Sequence, residues 1–169
     1  MILGIDVSTS KIGYCVVDKN KKLLEVSFKK LKEDTLEEKA WGFFHDEMKR
    51  IKDTYKITHV RIEEPFSMFS GGRTTAGTMS KLQRFNGMIS ILAYAMFEMV
   101  PTLVPSRSAR SKCGIKIKRG EDTKKKIIEW VEKTYPKEFI VEYTRHGNPK
   151  PGTDDMADAV VVGLSHFKD

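Results

Sequence analysis

The sequence predicts an α/β fold, with a five-stranded mixed sheet flanked by helices. Three observations point there. Apolar runs at residues 2–7, Lys11 to Val17 and Lys22 to Phe28 follow one another with only short breaks, which suits an antiparallel meander. A helical pattern over about residues 35–54 then leads into a fourth apolar run, Ile57 to Glu63. A helix between two such runs is the usual crossover to a parallel strand. Beyond residue 63, helical patterns alternate with one more short strand, as layered α/β chains do.

Each element has a local reason. Ile2-Leu3-Gly4-Ile5-Asp6-Val7 is apolar and largely β-branched. In the second run Ile12, Tyr14 and Val16 alternate, and Asp18-Lys19-Asn20-Lys21 supplies the turn that follows. Leu36, Ala40, Phe43, Phe44, Met48 and Ile51 recur at helical spacing, so that helix should cover the sheet. Ser67 to Thr78 reads as a loop rich in Gly, Ser and Thr. From about Thr78 to Met99 comes a long helix with two apolar rows. One is Leu82, Phe85, Ile89, Leu92 and Met96, and the other is Met88, Ile91, Ala95 and Met99. A helix apolar on more than one face is either deeply buried or shared between two subunits, and sharing is the favoured reading. Pro101 ends it, and Thr102 to Val104 is a short fifth strand. Ser106 to Gly120 reads as a basic loop. Asp122 can cap a helix that Pro136 stops, and residues 137–152 form a second loop. The last helix starts at Asp154 or Asp155 and runs to about Phe167. No repeat or linker divides the chain, so residues 1–169 are expected to be one domain.

The charge balance narrows the function. Thirty Lys and Arg stand against 23 Asp and Glu, a net charge of +7. That excess favours a polyanionic partner, because cations placed on phosphates release counterions. Cys15 and Cys113 form no CxxC or Cys/His cluster, which argues against a zinc site, and Cys15 lies in an apolar strand pattern. No signal peptide is expected, and Met88 to Val100 is too short to span a bilayer, so a cytoplasmic protein is expected.

Three acidic motifs carry the chemistry. Asp6 interrupts a buried strand, where an uncompensated charge is costly. It is either a turn cap or a ligand for a cation. Arg61-Ile62-Glu63-Glu64-Pro65-Phe66 places an acid at the end of what should be the neighbouring strand. Asp154-Asp155-Met156-Ala157-Asp158 opens the last helix, where Asp155 and Asp158 share one face. Acids at a helix N-terminus are common because of the dipole, and that suffices for Asp154. It does not account for Asp6 or Glu63. A set of four oxygen donors suits Mg²⁺ or Mn²⁺, and such ions can drive phosphodiester hydrolysis.

The strings GIDVSTSKIGYCVVD, RIEEPF and TDDMADAVVVG resemble the RuvC family of Holliday junction resolvases, and the order of elements matches it along nearly the whole chain. The resemblance implies a ribonuclease H-like fold and a Mg²⁺- or Mn²⁺-dependent endonuclease. Its four catalytic and metal-binding acids fall on Asp6, Glu63, Asp155 and Asp158, with Glu64 and Asp154 as spare neighbours. It implies a homodimer on branched DNA, four-way junctions above all, with Leu82, Phe85, Met88, Ile89, Ile91, Leu92 and Met96 at the dimer interface. It places Phe66 where an aromatic could stack on a base, with Phe69 as runner-up and Arg73 on the same loop. A core anchor under that loop is the alternative for Phe66. Arg110, Lys112, Lys116, Lys118 and Lys124 occupy the region that holds phosphates in the family.

The chain departs from the bacterial pattern in two places. The first turn reads DVSTS rather than DPGxx, and the loop carrying His146 is longer. This marks a divergent branch, with a phage-infected bacterial host as one reading of its source. It leaves forks and flaps open as substrates beside junctions. Competing readings are a related nuclease acting on RNA and a branched-DNA-binding module without catalysis. An actin-like or sugar-kinase ATPase would need a second phosphate loop, and the sequence shows none.

Overall fold

The computed structural model describes residues 1–65 and 75–168. Strands β1 (Ile2–Val7), β2 (Lys11–Val17) and β3 (Leu23–Lys30) form the expected meander. β4 (His59–Glu63) lies parallel to β1 on its other side, and β5 (Thr102–Val104) lies parallel to β4. The sheet order is β3-β2-β1-β4-β5. In the β1–β4 register Ile5 faces Ile62, so the next residues, Asp6 and Glu63, come to neighbouring positions.

Alternation along the strands divides the core in two. Leu3, Ile5 and Val7 of β1, Ile12, Tyr14 and Val16 of β2, and Val60 and Ile62 of β4 point to one side. There they meet α1 (Leu36–Phe43), α2 (Lys49–Thr54) and α3 (Ala76–Phe97). The other side carries Cys15, Val17 and Val104 against α4 (Ser106–Lys112), α5 (Thr123–Thr134) and α6 (Thr153–Leu164). Among the described residues no helix is long and apolar enough to cross a membrane.

Capping follows sequence. Thr35 and Glu38 close a reciprocal capping box at the start of α1, and Asp122 accepts from the Lys125 amide at the start of α5.

Four expectations are corrected. The helix over residues 35–54 is not continuous, because a π-helical turn, Phe44–Met48, separates α1 from α2. The wide turn accompanies burial of the adjacent Phe43 and Phe44, whose rings meet edge to face at 5.5 Å. The basic segment from Ser106 is helical as far as Lys112, because Ala109 packs into the α6-side core and pins it there. The long helix begins at Ala76 with Thr75 as its cap, two residues before the expected start, and α6 begins at Thr153. Finally, Phe85 and Ile89, expected at a dimer interface, are each 0% exposed within the chain's own core. α3 therefore turns one row inward and leaves Ile91 (61% exposed) and Tyr94 (50%) outside.

The seating of α6 on the sheet depends on missing side chains. A β-carbon on Gly4 would lie 2.4 Å from the Ala159 carbonyl oxygen, and one on Gly13 would lie 2.1 Å from the Asp155 carbonyl oxygen. Both contacts are with backbone, which cannot swing aside as a side chain can. Gly13→Val is therefore expected to cost at least about 1–3 kcal/mol by overpacking. Gly87→Ala, on an exposed face of α3 where an added β-carbon meets nothing within 4 Å, should instead stabilise by up to about 1 kcal/mol. Denaturant unfolding of the two variants checks the contrast.

Candidate metal centre

Asp6, Glu63 and Asp158 converge. One carboxylate oxygen from each can be chosen so that all three lie within 4.8 Å of one another. β1 supplies Asp6 one residue before its end, β4 supplies Glu63 as its last residue, and α6 supplies Asp158 one and a half turns in. The close approach at Gly4 and Gly13 is what lets the helix reach the strand ends.

The electrostatics are those of crowded like charges. Burial, then Glu63 and Asp158, hold the Asp6 carboxyl well above the usual range. Burial, then Glu63 and Asp154, push Asp158 up to about 7, while Lys124 and Arg110 oppose the rise. Clustered carboxylates with raised proton affinity, all oxygen donors, fit a hard divalent cation of the Mg²⁺ or Mn²⁺ kind. Asp6, Glu63 and Asp158 would hold it.

Asp155 stands apart from this trio. Its Oδ2 lies 2.8 Å from Lys11 Nζ. Burial raises its proton affinity and Lys11 partly offsets that. Asp154 is paired with Lys124 at 2.5 Å, and Lys11 lies 3.9 Å from its other oxygen. Burial acts to raise the Asp154 carboxyl, but Lys124 and Lys11 outweigh it and the net shift is downward. Glu64 is exposed, and its amide donates to the Val104 carbonyl.

Three residues not singled out in the sequence support the acidic site, two of them at Glu63 and one at Asp155. Ser106, the first residue of α4, donates its hydroxyl to Glu63 Oε1. Asn86, buried on α3, donates from Nδ2 to the Glu63 carbonyl at 2.8 Å. Lys11 is the third. A polar residue in an apolar helix row was the available signal for Asn86, whereas Ser106 and Lys11 are ordinary residues at element starts.

Of the basic residues, Arg110 and Lys124 face the acids. Lys116 and Lys118 are exposed on the segment between α4 and α5, and Lys112 is half-buried at the end of α4. A cleft of ≈ 560 Å³ opens beside Asp154, lined among others by Lys124, Lys125, Tyr143, Asn148 and Lys150. Phe66, Phe69 and Arg73 lie outside the described residues.

No family model matches the chain. The crossover junction endodeoxyribonuclease RuvC of Aliarcobacter butzleri (strain RM4018) is 27% identical over 168 residues, covering 98% of this chain and 96% of the relative. The chain is thus similar to a RuvC nuclease along nearly its whole length. Among solved structures, T. thermophilus RuvC in complex with a Holliday junction substrate superposes with a TM-score of 0.66 at 18% identity, over 98% of this chain and 91% of that one. The yeast mitochondrial Holliday junction resolvase Ydc2 gives 0.62 at 14% identity, over 99% and 77%. The five-stranded mixed sheet with flanking helices is thus the ribonuclease H-like fold of RuvC.

The raised carboxylates fix a pH dependence. Asp158 has a folded pKa of about 7, above an unfolded value of about 3.9. Between those values the folded state binds more protons, so metal-free stability falls as pH rises from about 4 to 7. Thermal unfolding in chelator should show that fall, and Asp158→Asn should flatten it. A second expectation concerns Ser106→Ala, which should weaken Mn²⁺ binding about tenfold by freeing the Glu63 carboxylate. Calorimetric titration reads it.

Proposed function

We propose that this chain is a divalent-metal-dependent endonuclease that hydrolyses the backbone of branched DNA, four-way junctions foremost, as a homodimer. Residues 1–169 are one nuclease domain in this reading, and Mg²⁺ is the working ion. The carrying observation is the convergence of Asp6, Glu63 and Asp158 at the ends of two adjacent parallel strands under α6. RuvC homology over 98% of the chain supports the substrate class, because the relative's name is that of a crossover junction nuclease and the T. thermophilus structure holds a junction.

A divalent ion at such a site supplies Lewis-acid polarisation of the phosphate and a more acidic water. The chain's own residues do the rest. Ser106 fixes the Glu63 carboxylate and Asn86 fixes its backbone. Arg110, Lys112, Lys116, Lys118 and Lys124 form the phosphate-binding side, adjacent to the acids through Arg110 and Lys124. The net charge of +7 favours the approach of a polyanion.

The outer face of α3 is the dimer surface. Ile91 and Tyr94 are the large apolar side chains exposed on it, with Met88, Leu92 and Met96 half-buried beside them.

The deciding assay presents Mg²⁺ and four matched DNAs: a junction, a fork, a flap and a plain duplex. Paired symmetric nicks in the junction, absent from duplex, are the expected result. Asp6→Asn should abolish the nicks and leave junction binding in place. Equal cutting of all four would overturn the junction assignment, and cutting of RNA alone would turn the reading towards an RNA nuclease. For the dimer, Ile91→Glu with Tyr94→Glu should yield a folded monomer by light scattering, since neither side chain belongs to the core.

A further inference from the structure

Five carboxylates crowd the acidic site: Asp6, Glu63, Asp154, Asp155 and Asp158. Among the described residues two ammonium groups meet them in direct ion pairs, with Asp154 shared between them and Asp155 met by Lys11. Lys124 takes Asp154 at 2.5 Å, and Lys11 takes Asp155 at 2.8 Å. Among the described residues, the three acids without an ion pair to a cation are the ones that converge, Asp6, Glu63 and Asp158.

Lys11 is built into this place. It is the first residue of β2, and its side chain is only 24% exposed. The Ser8 turn clamps its backbone: the Ser8 hydroxyl and the Ser8 amide both donate to the Lys11 carbonyl, at 2.8 and 3.0 Å, and the Lys11 amide donates to the Ser8 hydroxyl at 3.1 Å. Two residues on, Gly13 lets the backbone at Asp155 lie against β2. Residues 11 and 13 share a face of the strand. The Lys11 side chain therefore runs alongside the first turn of α6, and the Asp155 carboxylate meets it there with 9% of its side chain exposed.

We propose that Lys11 is a positioning residue that holds Asp155 in place of a second cation, so that each chain takes one divalent ion, on Asp6, Glu63 and Asp158. The inference rests on the nuclease reading only in taking the acid trio as an ion site. An ammonium and a divalent ion compete for the same carboxylate oxygens, and the ammonium is always present. Its removal leaves Asp155 buried, unpaired and beside two other acids, which is the donor set a second ion requires.

Calorimetric titration of the whole protein with Mn²⁺, with no DNA present, tests this. The wild type should bind one Mn²⁺ per chain. Lys11→Met keeps the aliphatic stem without the charge and should bind two, and Lys11→Arg should return to one. Asp155→Asn should still bind one, with a Kd changed by no more than about tenfold. It decides the matter alone should the Met variant fail to fold. Two ions per wild-type chain, an unchanged count in a folded Lys11→Met, or loss of the ion in Asp155→Asn would each overturn the proposal. Failure of the nuclease reading looks different: Asp6→Asn would leave the single ion bound.

Discussion

Two absent β-carbons set the geometry of this molecule. At Gly4 and Gly13 the backbone of α6 rests on the strands at distances no side chain would permit. The same helix presents Ala157, Ala159 and Gly163 among its buried positions, so the contact is smooth along much of its length. A helix seated that low brings its first turns level with the ends of β1 and β4. Asp158 can then reach Asp6 and Glu63, and Asp155 can reach the side chain at the head of β2. Raising the helix by the thickness of one methyl group would separate the acids.

Closeness has a cost, and the chain meets it in graded fashion. Asp154, the most solvated of the α6 acids, is neutralised by a surface lysine. Asp155, deeper, has a lysine anchored in a strand. Asp6 and Asp158 have no ion pair among the described residues, and burial together with the neighbouring acids drives their carboxyls upward. The folded state is thus strained electrostatically where it is expected to bind a cation. Like charges held together by a rigid sheet and helix store binding energy for any ion that separates them.

Much of this was legible in the sequence, for physical reasons. An acid inside a β-branched strand is costly enough to be conspicuous, so Asp6 stood out, and Glu63 did so at the end of the next apolar run. Short apolar runs rich in β-branched residues, bounded by turn residues or Pro, placed all five strands to within two residues, because a buried strand needs such side chains and its ends need turns. What escaped depended on three-dimensional proximity. Lys11 and Ser106 are unremarkable residues whose partners lie over 40 positions away. The helical periodicity of α3 showed two apolar rows but not which one the core would claim, and Phe85 and Ile89 went inward. The separation of Asp155 from the other three acids was invisible, because residues 155 and 158 share a helix face whether or not a lysine intervenes.

The hydrogen bond from Asn86 to the Glu63 carbonyl has a consequence beyond local support. Asn86 sits on α3 one and a half turns from Ile91, on the helix whose outer face is open to a second copy. In a dimer paired through that face, one rigid rod would touch the subunit boundary with one side and the backbone of Glu63 with the other. Any association that favours one seating of that rod is thermodynamically linked to cation affinity at Glu63, and linkage works in both directions by the same factor. Pairing of two chains through that face and loading of each site would in that sense be a single equilibrium, written at opposite faces of one helix.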